Sequence, residues 1–93
     1  MTKYEILYII SPAAAEGDRE KLIKKFGDHI TKGGGTVEKI DRWGVKKLAY
    51  PIKFKNEGFY VLMNYECKPE VSTSMEALMR ITEEILREIV TKK

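Results

Sequence analysis

The amino-acid sequence predicts an α+β fold of the ferredoxin-like, split β-α-β kind, in which a four-stranded antiparallel sheet carries two helices on one face. Three observations lead there. Apolar residues recur at helical spacing in two segments, and these alternate with runs of β-branched and aromatic residues in the order β-α-β-β-α-β. Two right-handed crossovers of that order place the first and third strands at the centre of the sheet. Pro51, within the second strand, argues that this strand is an edge, because proline has no amide proton for a second neighbour. With 93 residues the chain has room for one domain, residues 1–93, and should bury roughly 60 to 70 per cent of the surface it exposes when unfolded.

Residues 4–10 are nearly all apolar, rich in aromatic and β-branched types, and too few for an independent helix, which suits a central strand. Tyr4, Ile6, Tyr8 and Ile10 share one face, and Glu5, Leu7 and Ile9 the other. Ser11 and Pro12 stop the strand. A helix follows, opening at Ala14 or Asp18 and closing at Lys32, with Leu22, Ile23, Phe26 and Ile30 on its apolar stripe. Glu16, Asp18 and Glu20 lie early and Lys32 late, as the helix dipole favours. Gly33, Gly34 and Gly35 cap it. A phosphate-cradling loop would need Lys and Ser or Thr directly after the last glycine and a helix opening there, whereas Thr36 and Val37 open a strand.

That second strand covers residues 36–52. Val37 is out of phase with Ile40, whose even parity agrees with Leu48 and Tyr50, so a bulge or twist is expected in its first half or near Gly44. Leu48, Tyr50 and Ile52 then look inward, and Lys47, Ala49 and Lys53 outward. Asn56, Glu57 and Gly58 carry turn chemistry, and residues 59–67 form the next strand, with Phe59, Val61, Met63, Tyr65 and Cys67 in the core. Pro69 begins a second helix bearing Val71, Met75, Leu78 and Met79. Beyond Arg80, the spacing of Ile81, Ile85 and Ile89 permits a longer helix, whereas Ile89, Val90 and Thr91 favour a strand. We place a turn at residues 82–84 and a final strand over residues 85–92.

Seventeen Lys and Arg against fourteen Asp and Glu give a net charge of +3, which permits nucleic-acid binding without requiring it. A single cysteine, Cys67, excludes an internal disulfide and suits a reducing compartment. No apolar run approaches the ~20 residues of a membrane span, and the start of the chain lacks a signal-peptide layout, so a cytoplasmic protein without membrane contact is expected. Catalytic chemistry is thin. His29 lies mid-helix at a surface or boundary position, and Cys67 falls on the core face. Glu83, Glu84 and Glu88 read as a solvated charge face, and no metal-ligand spacing occurs. No catalytic residue, metal or cofactor is expected. Lys46, Lys47, Lys53 and Lys55 are interleaved with Trp43, Tyr50, Phe54 and Tyr60, while Arg80, Arg87, Lys92 and Lys93 gather toward the last strand. Cations of this kind neutralise phosphates and aromatics stack on unpaired bases. The same residues would equally serve as a solvated surface over a core.

Trp43 and Gly44, then Lys46 and Lys47, then Leu48, Ala49, Tyr50, Pro51 and Ile52 closely resemble the signature of the bacterial ribosomal small-subunit protein number six family. Tyr4 and Glu5 at the first strand provide a second match, and Arg80 and Ile81 followed by Ile85, Leu86 and Arg87 a third. The resemblance implies a structural, non-enzymatic protein that binds the central domain of 16S rRNA together with ribosomal small-subunit protein number eighteen during assembly. It carries over to Tyr4, Trp43, Gly44, Lys46, Lys47, Leu48, Tyr50, Pro51, Arg80 and Arg87. Arginine is frequent in the family where Lys46 and Lys47 stand, and lysine keeps the charge without the planar fork, so phosphate contact transfers better than base recognition.

On this reading the RNA-binding residues are Lys3, Tyr4, Lys46, Lys47, Tyr50, Lys53, Arg80, Arg87 and Lys92. Leu7, Ile9 and Leu62 on the outer sheet face, with Trp43, are expected to meet the partner protein, because such an apolar patch usually marks a protein contact. The free protein is expected to be a monomer. The alternative is a ferredoxin-like regulatory or small-ligand-binding module, which would require a converging polar pocket that the sequence does not reveal.

Overall fold

The computed structural model describes residues 1–52 and 55–93. It contains β1 (Thr2–Ile10), α1 (Glu16–Lys32), β2 (Thr36–Ile52), β3 (Lys55–Cys67), α2 (Pro69–Arg80) and β4 (Ile85–Lys92). The sheet order is β2-β3-β1-β4 and every pairing is antiparallel, so β1 and β3 are central and β2 is an edge, as its proline predicts. Among the described residues no helix is long and apolar enough to cross a membrane.

Alternation along the two central strands builds the core. Ile6, Tyr8 and Ile10 of β1 and Val61, Met63, Tyr65 and Cys67 of β3 face Phe26 and Ile30 of α1 and Met75 and Met79 of α2, all fully buried. Each large apolar side chain so placed contributes roughly 1.5–3 kcal/mol. The Tyr8 ring meets Phe26 edge-on at 5.6 Å, and Tyr65 shares a 2.8 Å hydrogen bond with Ser72 of α2. At the end of α1, Gly35 N–H donates to Ile30 O at 2.9 Å and Gly34 N–H to Thr31 O at 3.1 Å, with Gly34 at φ +87°. These two bonds satisfy carbonyls that the helix itself leaves open, and the positive φ is why glycine stands there. A ring nitrogen of His29 lies 3.1 Å from Ser74 Oγ, joining the two helices at the surface.

Two expectations need correction. Asn56, Glu57 and Gly58 belong to β3, with Glu57 opposite Lys47 and Gly58 opposite Lys46. The inward placement of Leu48 and Tyr50 also fails. The β2–β3 register shifts between Val37 and Lys39, which brings Val37 and Ile40 onto the helix-covered core together. It shifts again between Arg42 and Gly44, where Gly44 has φ +88° and Trp43 is the extra residue. An extra residue reverses the alternation beyond it, so Leu48 turns to the opposite face from Ile40. Expectations for Lys53 and Phe54 lie outside the described residues.

Candidate functional site

The sheet face away from the helices carries its own small apolar cluster. Ile9, Leu48 and Leu86 are buried against one another, with Ile52 and Tyr60 packed around them. Gly58 makes this possible, because any β-carbon there would collide with Ile9. Beside the cluster, Leu7 is the register partner of both Leu62 and Ile89, forming a row across β3, β1 and β4 in which Ile89 is 49 % exposed. Trp43, 44 % exposed, lies parallel to Tyr60 with ring centroids 6.4 Å apart and planes at 7°. Lys46 Nζ lies 4.8 Å from the centre of the Trp43 ring, a cation held against an aromatic face. Arg87 donates a hydrogen bond to the Tyr50 hydroxyl, tying β4 to the β2 segment that lies over this face.

The face therefore joins exposed apolar and aromatic surface to two cations, Lys46 and Arg87. Apolar and aromatic area of this kind suits a protein contact, and the cations at its border suit phosphate. Toward the opposite end charges are compensated: Lys3 holds Glu38 at 3.5 Å, Lys39 holds Asp41 at 3.4 Å and Lys93 holds Glu5 at 3.4 Å.

Of the residues expected to act, Trp43, Lys46, Tyr50, Arg87, Leu7 and Leu62 are brought to this face or its border. Ile9 shares it but is 7 % exposed beneath Leu48 and Leu86, so a partner would meet its cover. Tyr4 lies elsewhere. It is 8 % exposed in the core, where its ring stacks on Tyr65 at 5.5 Å. Lys47 falls in the opposite phase of β2 from Lys46. Arg80 is tied to Glu88 at 3.1 Å, and Lys92, opposite Tyr4, has the phase of the helix-covered side. Lys53 lies outside the described residues.

Behind the sheet, Arg42 grips Glu20 of α1 through two hydrogen bonds of 2.9 and 2.8 Å. That bonding holds the Glu20 carboxyl below its usual range and the Arg42 guanidinium above its own. Burial pushes the nearby Tyr8 hydroxyl up. A cleft of about 680 Å³ between the start of α1 and the start of β4 sets Asp18, Glu83 and Glu84 against Lys21, Lys25 and Lys55, three charges of each sign, which gives no bias toward a charged metabolite. Among the described residues no group of His, Cys, Asp and Glu could hold a metal ion. Sequence reasoning passed over the lysines of α1, although their helical spacing was readable.

A family model described as Ribosomal protein S6 matches residues 3–92. The chain is 44 % identical over 92 residues to the small ribosomal subunit protein bS6 of Caldanaerobacter subterraneus subsp. tengcongensis, covering 99 % of this chain and 97 % of the relative. It is 43 % identical over 90 residues to the small ribosomal subunit protein bS6 of Clostridium novyi, covering 97 % and 95 %. The crystal structure of 30S ribosomal protein S6 from Thermotoga maritima superposes with a TM-score of 0.93 at 32 % identity, covering 99 % of this chain and 87 % of the other.

Proposed function

Since the chain belongs to the ribosomal protein S6 family, and is therefore a structural protein of the cytoplasmic small ribosomal subunit and not an enzyme, we propose that it binds the central domain of 16S rRNA jointly with ribosomal small-subunit protein number eighteen. The observation that carries this reading is the continuity of one face, from the apolar row Leu62–Leu7–Ile89 through the Trp43–Tyr60 pair to Lys46 and Arg87. The apolar row and Trp43 take the partner protein. Lys46 and Arg87 reach the phosphates that lie alongside it. A net charge of +3 limits the number of phosphates the free monomer neutralises, so RNA affinity is weak alone and rises with the partner. Linkage then requires RNA to strengthen the protein pairing by the same factor.

Affinity isolation of the tagged chain from a bacterial lysate tests the reading. Copurification of 16S rRNA with ribosomal small-subunit protein number eighteen, surviving after ribonuclease as the protein pair, is the expected result. Recovery within small subunits without a direct protein pair would contradict the partner assignment, and retention of a metabolite instead would favour a regulatory module.

A further inference from the structure

A line of positive charge lies on the helical side of this chain, away from the sheet face described above. Lys21, Lys24, Lys25 and Lys32 of α1 line a groove of about 420 Å³, together with Asp28, His29 and Leu78 of α2. Within this groove four lysines face one aspartate, +3 with His neutral, although Lys21 and Lys25 also border the cleft that holds Asp18, Glu83 and Glu84. Among the described residues no ion pair engages these four lysines, nor Lys47, Lys68 and Lys92, whereas Lys3, Lys39, Arg42, Arg80 and Lys93 each hold a carboxylate.

Along α1 the like-charge pairs Lys21–Lys24 and Lys21–Lys25 are offset by Asp18, Glu20 and Asp28, which stand three or four residues from these lysines, each pair being worth roughly 0.2–0.5 kcal/mol. A bound polyanion would pair with all four groove lysines. From Lys21 to Lys32 the helix rises ~16 Å, about the length of five nucleotides of one duplex strand at ~3.4 Å each. A single small anion would reach only part of that line. Lysines are point charges without a planar fork, and the one ring that lines the groove, His29, is engaged with Ser74, so the groove is equipped for backbone phosphate and not for reading bases or clasping carboxylates in pairs.

We propose that the groove between α1 and α2 is a second RNA contact, which takes the phosphate backbone of a segment separate from the one beside the sheet face. This inference rests on the RNA-binding reading above. The chain would then clamp RNA on two opposite sides, which fits a protein that holds segments of a folded RNA in place.

The test compares the partner-loaded wild-type chain with a Lys21→Ala, Lys24→Ala, Lys25→Ala, Lys32→Ala variant for binding to whole 16S rRNA across a salt series. The magnitude of the slope of log K against log salt is expected to fall by about 0.7–0.9 for each lysine that neutralises a phosphate, up to about 3.6 for all four. The matching four-arginine variant should keep the wild-type slope. Lysine acetylation supplies an independent readout: the four side chains should react several-fold more slowly in assembled small subunits than in the free chain. An unchanged slope in the alanine variant, with wild-type binding intact, would overturn the inference and leave the proposed function untouched. Crosslinks from these lysines to protein instead of RNA would also overturn it. Failure of the partner-loaded wild-type chain to bind the RNA at all would defeat the proposed function and this inference with it.

Discussion

Ile9 occupies the space that a side chain on Gly58 would need: a β-carbon built on Gly58 falls inside the Ile9 methyl group. The glycine thus serves close packing between neighbouring strands. Without it Ile9 could not settle beneath Leu48 and Leu86, and the β2 segment that lies over the sheet would lose its seat.

Gly58→Ala should accordingly destabilise the fold by about 1–3 kcal/mol, the range for overpacking a filled site. Combining it with Ile9→Ala should recover part of that loss, with a coupling of at least about 0.5 kcal/mol in urea unfolding. Strict additivity of the two substitutions would contradict the contact.

Tyr65 makes stability sensitive to alkali. Burial pushes its hydroxyl up to about 12, partly offset by the hydrogen bond to Ser72. The unfolded value is near ~10, so this contribution is intact below pH ~10 and is lost as pH rises from there through the folded value. Tyr65→Phe should flatten the alkaline limb of stability against pH without removing it, because Tyr8 is also buried with a raised value. At neutral pH the variant should lose roughly 0.5–1.5 kcal/mol through the lost hydrogen bond. Denaturant unfolding from pH 7 upward measures both effects.

Leu62 and Trp43 should separate binding from folding. Leu62→Ser should weaken pairing with the partner protein while shifting thermal stability little, since Leu62 lies in the half-buried row outside the core. Trp43→Ala should cost at least about 2 kcal/mol of pairing if the ring is the anchor of that surface. Calorimetry of the pairing, set beside thermal melts, decides. Unfolding of the Leu62→Ser variant would place Leu62 among the residues that hold the fold.

Lys46 and Lys47 are adjacent in sequence yet opposite in phase, and only Lys46 lies over Trp43. Lys46→Ala should therefore lower the salt slope of RNA binding by about 0.7–0.9, equally for different RNA sequences, and Lys47→Ala should lower it less. Neither should change folding stability by more than roughly 0.5 kcal/mol. Equal losses from the two substitutions would mean that the RNA wraps the β2 edge.

What the sequence reveals depends on whether the alternation stays unbroken. The first strand and the glycine-ended helix are legible because their periods run to a Pro or a Gly, whereas the last strand, whose Ile81, Ile85 and Ile89 also fit a helix and whose pairing shifts register at Leu86, is legible only from its β-branched residues. Parity alone places Tyr4 in the core, where the structure has it, although family likeness had suggested an RNA contact. Leu48 is misplaced because each bulge reverses the phase beyond it. The clash of Val37 with Ile40 betrays the first bulge, whereas nothing but Gly44 hints at the second. Asn56, Glu57 and Gly58 look like a turn by residue type, and the purpose of Gly58 lies in Ile9 on a neighbouring strand, which local chemistry does not express. The lysines of the basic groove all stand on α1 at a spacing that the sequence shows, and they are overlooked when weighed only as part of a small net charge.

Equilibrium binding of the chain to the central-domain fragment of 16S rRNA, measured with and without ribosomal small-subunit protein number eighteen at fixed salt, tests the central claim most directly. Joint recognition predicts weak binding by the chain alone, a marked gain in affinity with the partner, and an equal gain in pairing affinity when RNA is added. The same RNA affinity in the presence and absence of the partner would contradict it.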